Sequence, residues 1–195
     1  MSRAAPLILA SSSVYRRQLL ERLQRPFNVD SPDVDESVLP DETPEAYVER
    51  LAVAKATAIA ARHPDALVIG SDQTCVCRGR IVGKPGSVER AVAQLQAASG
   101  QTVRFLTGVC VTGIAAGVKT VWTVRTDAVF RELDDAEIRR YLAQEPALDS
   151  AGAFKSEGLG ISLLAAMHGD DPTALIGLPL ITLSATLRRL EHAVP

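Results

Sequence analysis

Aromatic residues are scarce in this chain, with one Trp, three Tyr and four Phe among 195 residues. Positive charge is not in excess either, since the formal net charge is −2. A protein of this balance offers no broad basic surface to nucleic acid or acidic lipid. A small phosphate ligand remains open, because it needs only a few local cations. Long apolar runs are missing, so no stretch approaches a membrane span. The opening MSRAAPLILASSS has too short an apolar core for a secretory signal. The cytoplasm is therefore the expected compartment. Cysteine is sparse and odd in number: Cys75, Cys77 and Cys110 make no disulfide framework. Cys75 and Cys77 could touch a metal, but they lack two further ligands at zinc-site spacing. His63, His168 and His192 are scattered without helical pairing. No Walker A segment, Gly-x-Ser-x-Gly elbow or paired Cys and His appears, so P-loop chemistry and side-chain nucleophiles are set aside. Hydrolysis by an activated water is the simpler chemistry.

What the chain does contain centres on Gly70–Pro85, GSDQTCVCRGRIVGKP. Ala66–Ile69 reads as a buried strand that stops at Gly70-Ser71-Asp72-Gln73. Asp72 would then sit in a loop at the strand's C-terminal edge, where open α/β sheets place ligands. Arg78-Gly79 reads as a hairpin turn that carries Lys84 back toward the same end. The remaining composition, 47% hydrophobic and 23% charged, suits one globular domain over residues 1–195, with at most two lobes.

Pro6–Ala10 predicts a first strand, followed by a serine loop and a helix over Val14–Leu23. Serines at a helix N-cap leave backbone N–H groups and the helix dipole facing an anion. Ser11, Ser12, Arg16 and Arg17 are accordingly candidate phosphate-binding residues, although both arginines could equally be solvated. Phe27–Ser31 is expected as a short strand. The acidic loop Pro32–Glu36 supplies oxygen ligands suited to magnesium or manganese, or is simply hydrated. Thr43-Pro44 opens a helix reaching about Arg62. Lys55 lies on its apolar stripe with Leu51 and Ile59, so it either snorkels or faces a polar cleft with an anionic partner. Ser87 caps a helix to Ala98. Thr102–Val111 and Val118–Phe130 read as two long antiparallel strands. Asp134 or Asp135 caps a helix to Gln144. A glycine-rich loop at Ala151–Gly160 carries Lys155 and Glu157, which could pair with each other. Ile161–Met167 fits strand or helix, and Leu178–Glu191 is a closing helix.

Four cations, Arg16, Arg17, Lys55 and Lys84, and two acids, Glu36 and Asp72, make an inventory suited to a polyphosphate with a divalent cation. The stretches LILASSSVYRRQLL, Val34-Asp35-Glu36, Ala54-Lys55-Ala56, GSDQ, GKP, AGAFKSEGLGI and GLPL resemble, in order, the Maf nucleotide pyrophosphatases. Val14 departs from that pattern, where the family usually has Pro. Tyr15 stands where some close relatives carry Trp. The resemblance implies an α/β fold with a strongly twisted mixed sheet flanked by helices, and two lobes around a deep cleft. It implies cleavage of a nucleoside triphosphate to monophosphate and diphosphate, with magnesium, manganese or cobalt as cofactor, in a cytoplasmic and often dimeric protein. Asp72 would be the proton acceptor, with Lys55 and Lys84 catalytic and Glu36 and Asp72 at the metal. Tyr15, Gln73 and Glu157 would set specificity, and Gln73 with Lys155–Gly158 resembles the branch acting on 7-methyl-GTP. A nucleotide-binding regulator of cell division without turnover is the alternative that the resemblance leaves open.

Overall fold

In the computed structural model, which describes residues 5–195, the run Leu7-Ile8-Leu9-Ala10 forms β1 (Leu7–Ala10), buried at every position. Its alternate side chains go to opposite faces, as a strand's period of two requires. Leu7 and Leu9 join a core with Leu19, Leu20, Leu183 and Leu187. Ile8 and Ala10 join another with Ala52, Ala56 and Ile59. A strand covered on both faces has no reason to alternate polar and apolar residues, which is why the sequence reads as an unbroken apolar run.

Helix α1 (Val14–Glu21) follows, with Ser13 as N-cap. The short β2 (Asn28–Val29) covers only the middle of the expected second strand. Thr43 caps α2 (Pro44–Arg62), with Pro at its first turn as expected. Strand β3 (Leu67–Cys77), the hairpin partner β4 (Arg80–Val82) and α3 (Val88–Ala98) come next. Then come β5 (Thr102–Gly113), β6 (Val118–Phe130) and α4 (Asp135–Gln144), whose cap is Asp134. The undecided stretch after the glycine-rich loop is a 3₁₀ turn, Leu159–Leu163, running into β7 (Leu164–Gly169). The closing helix α5 is Leu180–Arg189, two residues shorter at each end than the Leu178–Glu191 expected.

The seven strands form one mixed sheet in the order β2-β1-β3-β5-β6-β7, with β4 paired to β3 off that path. β1 is parallel to both β2 and β3, whereas β4 runs antiparallel to β3 and β7 antiparallel to β6. The chain divides into two compact units. The first comprises the stretch ending at Asp72, Thr107–Val124 and Asp171–Pro195; the second comprises Gln73–Leu106 and Arg125–Asp170. In the second unit, Phe154 packs on Phe105 and edge-on to Phe130 with centroids 5.9 and 5.3 Å apart. There the Arg78-Gly79 turn has φ of 50° and 75°, the doubly positive geometry that suits a two-residue hairpin.

One expectation is corrected. β3 does not end at Gly70; it runs through Asp72 to Cys77, so Asp72 is a strand residue rather than a loop residue. Gly70 is there for closeness and not for a turn. A Cβ at Gly70 would come 2.7 Å from the Ala56 amide nitrogen, and closer still to the Ala52 carbonyl oxygen. Helix α2 therefore lies directly on β3 at this point. Gly70→Ala is expected to destabilise the fold by about 1–3 kcal/mol through overpacking. The shift in denaturant midpoint would measure this, and an unchanged midpoint would mean that α2 can back away freely.

Candidate active site

The register Ala10↔Gly70 places Ser11 and Ser71 side by side where β1 gives way to its loop. Beyond that level β3 carries two polar residues on opposite faces. Ser71 falls on the side of Leu67 and Ile69, and its hydroxyl donates to the Gly177 carbonyl at 2.9 Å. Asp72 falls on the α2 side, in line with Val68 and Gly70. There it meets Lys55, which α2 carries among Leu51, Ala52, Ala56 and Ile59.

Lys55 Nζ donates to Asp72 Oδ1 at 2.6 Å and lies 2.6 Å from Glu36 Oε1. Lys55 and Asp72 are both buried, whereas the Glu36 side chain is 55% exposed. The Lys55 ammonium thus has two anionic partners, both of them carboxylate side chains of this chain. Such a pair needs good geometry to offset the cost of removing two charges from water.

Glu36 belongs to an irregular segment that α2 holds in place. The Tyr47 hydroxyl donates to the Glu36 carbonyl at 3.0 Å. Arg50 donates to the Ser37 carbonyl at 2.8 Å and grips Glu42 with two nitrogens at 2.6 and 2.8 Å. The Arg50 guanidinium also lies over the Tyr47 ring, 5.6 Å from its centroid. Burial raises the Tyr47 pKa, and the charges of Asp72 and Glu36 raise it further. The phenol therefore stays neutral beside the acid pair. Neither Tyr47 nor Arg50 stands out in the sequence, since their partners Glu36, Ser37 and Glu42 lie on the irregular segment before α2.

Arg16 approaches from α1. Its Nε donates to the Gly177 carbonyl at 3.0 Å and its Nη1 to Ser11 Oγ at 3.4 Å. Ser11 Oγ also accepts the Ser13 amide at 3.1 Å, and Ser13 Oγ accepts the Arg16 amide at 3.4 Å. Burial lowers the Arg16 pKa from its ordinary value, while Asp72 and Glu36 act against that shift. A guanidinium keeps its proton regardless. The first unit thus gathers Ser11, Arg16, Glu36, Lys55 and Asp72. Ser12 beside them is exposed and Tyr15 partly buried. Arg17 is directed elsewhere: it pairs with Glu21 at 3.0 Å and lines an open surface groove with Arg25, Pro26, Phe27, Asn28 and Val29.

The second unit carries the other candidates. Gln73 follows Asp72 on β3 and points to the opposite face. Lys84 is exposed beyond the end of β4, and the Gly83 carbonyl before it accepts from Gln94 at 3.1 Å. Glu157 is exposed in a loop sewn onto α4. The Tyr141 hydroxyl accepts the Lys155 amide at 3.2 Å and Glu145 accepts the Gly160 amide at 3.1 Å. Burial pushes the Tyr141 pKa up to about 12. Lys155 is paired at 2.9 Å with Asp149, whose pKa is lowered chiefly by the bond from Lys155, with Lys84 adding a smaller effect.

Among the described residues, no group of three His, Cys, Asp or Glu side chains could hold a metal ion. Cys75 and Cys77 are buried free thiols whose pKa values burial raises, Cys75 to about 12. This suits small hydrophobes better than zinc ligands. Glu36 and Asp72 are two hard carboxylates, and the point on which they converge is the Lys55 ammonium. Magnesium is commonly held by one or two carboxylates with water and substrate phosphates completing its shell. Glu36 and Asp72 are donors of that type, two in number and bound here to Lys55.

A family model described as Maf-like protein matches residues 6–190, and the chain belongs to the Maf family. Among its curated relatives, a protein of Aromatoleum aromaticum named 7-methyl-GTP pyrophosphatase is 56% identical over 186 residues, covering 95% of this chain and 96% of that one. A protein of the same name from Xanthomonas axonopodis pv. citri is 53% identical over 189 residues, covering 97% and 98%. The fold is shared with the solved Ham1 protein of Staphylococcus aureus at a TM-score of 0.53 and 14% identity, covering 94% of this chain and 98% of that chain. Among the described residues no helix is long and apolar enough to cross a membrane.

Proposed function

We propose that this chain hydrolyses the α–β phosphoanhydride of nucleoside triphosphates, with 7-methyl-GTP preferred, giving the monophosphate and diphosphate. The observation that carries the chemistry is the buried Lys55 held between Asp72 and Glu36. In this reading Asp72 takes a proton from the attacking water as the new bond to phosphorus forms. The bond to the bridging oxygen breaks, and diphosphate leaves with the electron pair. Lys55 fixes the Asp72 carboxylate in place through the 2.6 Å bond. Arg16, Ser11, Ser12 and the backbone amides around Ser13 receive phosphate oxygens, with Lys84 as a further phosphate donor. Arg17, paired with Glu21 at the helix surface, would join them only on leaving that partner.

Glu36 and Asp72 would hold a divalent cation, which supplies positive charge against the polyphosphate. Excess chelator is expected to abolish diphosphate release, and magnesium, manganese or cobalt to restore it. Full activity in exhaustively chelated buffer would remove the metal. We place the enzyme in the cytoplasm as a homodimer without nucleic-acid partners, and sedimentation of the free protein tests the dimer. A binding-only regulator is not favoured, since the relatives named above carry the name of a hydrolase.

For the base, guanine presents two adjacent donors, N1–H and the 2-amino group. A carboxylate accepts both, and such paired charge-assisted bonds are strong. Glu157 is the proposed acceptor, with Gln73 of the same unit and Tyr15 as the other specificity positions. Because Lys155 is paired with Asp149, the simple pairing of Glu157 with Lys155 is not needed to explain the loop. Methylation at N7 makes the purine cationic, and Glu157 would balance that charge. The expected ranking in kcat/KM is 7-methyl-GTP above GTP, and both above UTP or dTTP. Glu157→Gln should cost most on the methylated substrate. A wild type that prefers UTP, or a ranking that Glu157→Gln leaves untouched, would refute the base assignment without touching the hydrolysis itself.

A further inference from the structure

Helix α5 begins without a cap of its own, since its N-cap residue Pro179 makes no side-chain hydrogen bond. Asp171 does this from the start of the preceding segment. Its Oδ2 accepts the Ile181 amide at 2.7 Å, and its Oδ1 accepts the Thr173 amide at 2.9 Å and the Thr173 hydroxyl at 2.6 Å. Thr173 Oγ1 in turn accepts the Leu180 amide at 2.8 Å and lies 2.9 Å from the Leu178 carbonyl oxygen. Thr107 ties the same segment to β5 through the Ala174 carbonyl at 2.8 Å. Asp171 is 2% exposed, the most deeply buried acid among the described residues, and these partners are neutral. A buried carboxylate is tolerated only when such donors satisfy it. It is therefore a fixed point, and the turn between Thr173 and Leu180 is closed around it.

Gly177 lies inside that turn with φ of 121°, a conformation L side chains rarely adopt. Its carbonyl is the acceptor shared by Arg16 Nε and Ser71 Oγ. A Cβ at Gly177 would lie 3.3 Å from Arg16 Nε, so the contact is close from both sides. Occupying Nε fixes the plane of the guanidinium fork. The terminal nitrogens then have a defined direction, toward Ser11 and toward whatever anion lies in front of α1.

We propose that Asp171 is a positioning residue: it holds the turn that presents the Gly177 carbonyl, and that carbonyl orients Arg16 for phosphate. The proposal rests on the hydrolysis described above, and it adds a residue that touches neither substrate nor metal. Asp171→Asn keeps the shape but turns an amide donor toward one of the N–H groups now held, so the turn loosens. A displacement of about 1 Å at a positioned group can cost on the order of 10²-fold in rate.

The test is a double-mutant cycle with two readouts. Rates of diphosphate release from 7-methyl-GTP are measured for wild type, Asp171→Asn, Arg16→Ala and the double variant. Calorimetric titration with inorganic pyrophosphate, which needs no turnover, is run on the same four. Asp171→Asn should raise KM about 10-fold or more, with a smaller change in kcat, and weaken pyrophosphate binding. In the Arg16→Ala background it should change either quantity by no more than about 2-fold, because residues acting through one another are not additive. An equal loss in both backgrounds, or no loss in either, overturns the proposal. If wild type releases no diphosphate from any triphosphate, the hydrolysis reading fails. The pyrophosphate cycle then decides the positioning claim alone, with absent binding to wild type counting against it. Should Asp171→Asn not fold, Thr173→Val must reproduce the defect and Thr173→Ser restore KM and binding; wild-type values in Thr173→Val overturn the proposal.

Discussion

Asp72→Asn is expected to lower kcat for diphosphate release by about 10²–10⁴-fold, the loss that follows removal of a general base. Asn occupies the same space on β3 but neither accepts a proton nor carries full charge. Its neighbour Lys55 keeps Glu36 at 2.6 Å, so the ammonium is not stranded and the strand keeps its place. Phosphate binding through Arg16 and Ser11 should largely survive, so KM should move much less than kcat. That split separates loss of chemistry from loss of the site. Single-turnover measurements with magnesium and 7-methyl-GTP give the rate directly. Turnover within a few-fold of wild type would remove Asp72 as the base and, with it, the water-activation scheme.

The difference between what was legible in the sequence and what was not is physical. The caps Ser13, Thr43, Ser87 and Asp134 each act within three residues of themselves, accepting from Arg16, Ala46, Arg90 and Glu137, so local sequence carries them. Lys55 was legible because helical periodicity placed it among Leu51 and Ile59 without reference to the rest of the fold. Asp72 stands out in the sequence as a candidate acid but reads as a loop residue, because glycine serves both turns and close contacts. Only the approach of α2 shows that Gly70 serves the second purpose. Arg16 and Arg17 could not be separated by sequence. Successive helical residues point about 100° apart, so one faces the Gly177 turn and the other the outer groove. Which does so depends on how α1 rolls its leucines into the core. Tyr47, Arg50 and Asp171 work through partners on irregular segments, and irregular segments have no periodicity to read. The same holds for the glycine-rich loop, where two 3₁₀ turns, Ala151–Ala153 and Leu159–Leu163, replace the open stretch expected.

Lys55→Met should cost both activity and stability, and the two losses have different origins. The methionine keeps the apolar stem on the α2 stripe and removes only the ammonium. Asp72 then stays buried with its cation gone and Glu36 nearby, two like charges where an attraction stood. Breaking a fully buried pair from one side costs about 3–5 kcal/mol. Because Glu36 is 55% exposed and can turn to water, the expected loss lies near the lower end, roughly 3 kcal/mol. kcat/KM should fall by about 10²-fold or more, since the carboxylate is no longer held in place. Arg62→Ala is the control. Arg62 sits at the far end of the same helix, 51% exposed and 3.3 Å from Asp30, and surface pairs of that kind contribute about 0–1 kcal/mol. The decisive comparison adds Asp72→Asn to Lys55→Met. Removing the stranded charge should return much of the lost stability while activity stays abolished, a non-additivity that a double-mutant cycle reads directly. Denaturant midpoints for the four proteins give the stability term and diphosphate release gives the catalytic one. If Lys55→Met behaves like Arg62→Ala in both, or if Asp72→Asn deepens its instability, the buried lysine is an ordinary snorkelling side chain and the charge cluster is not the centre of the site.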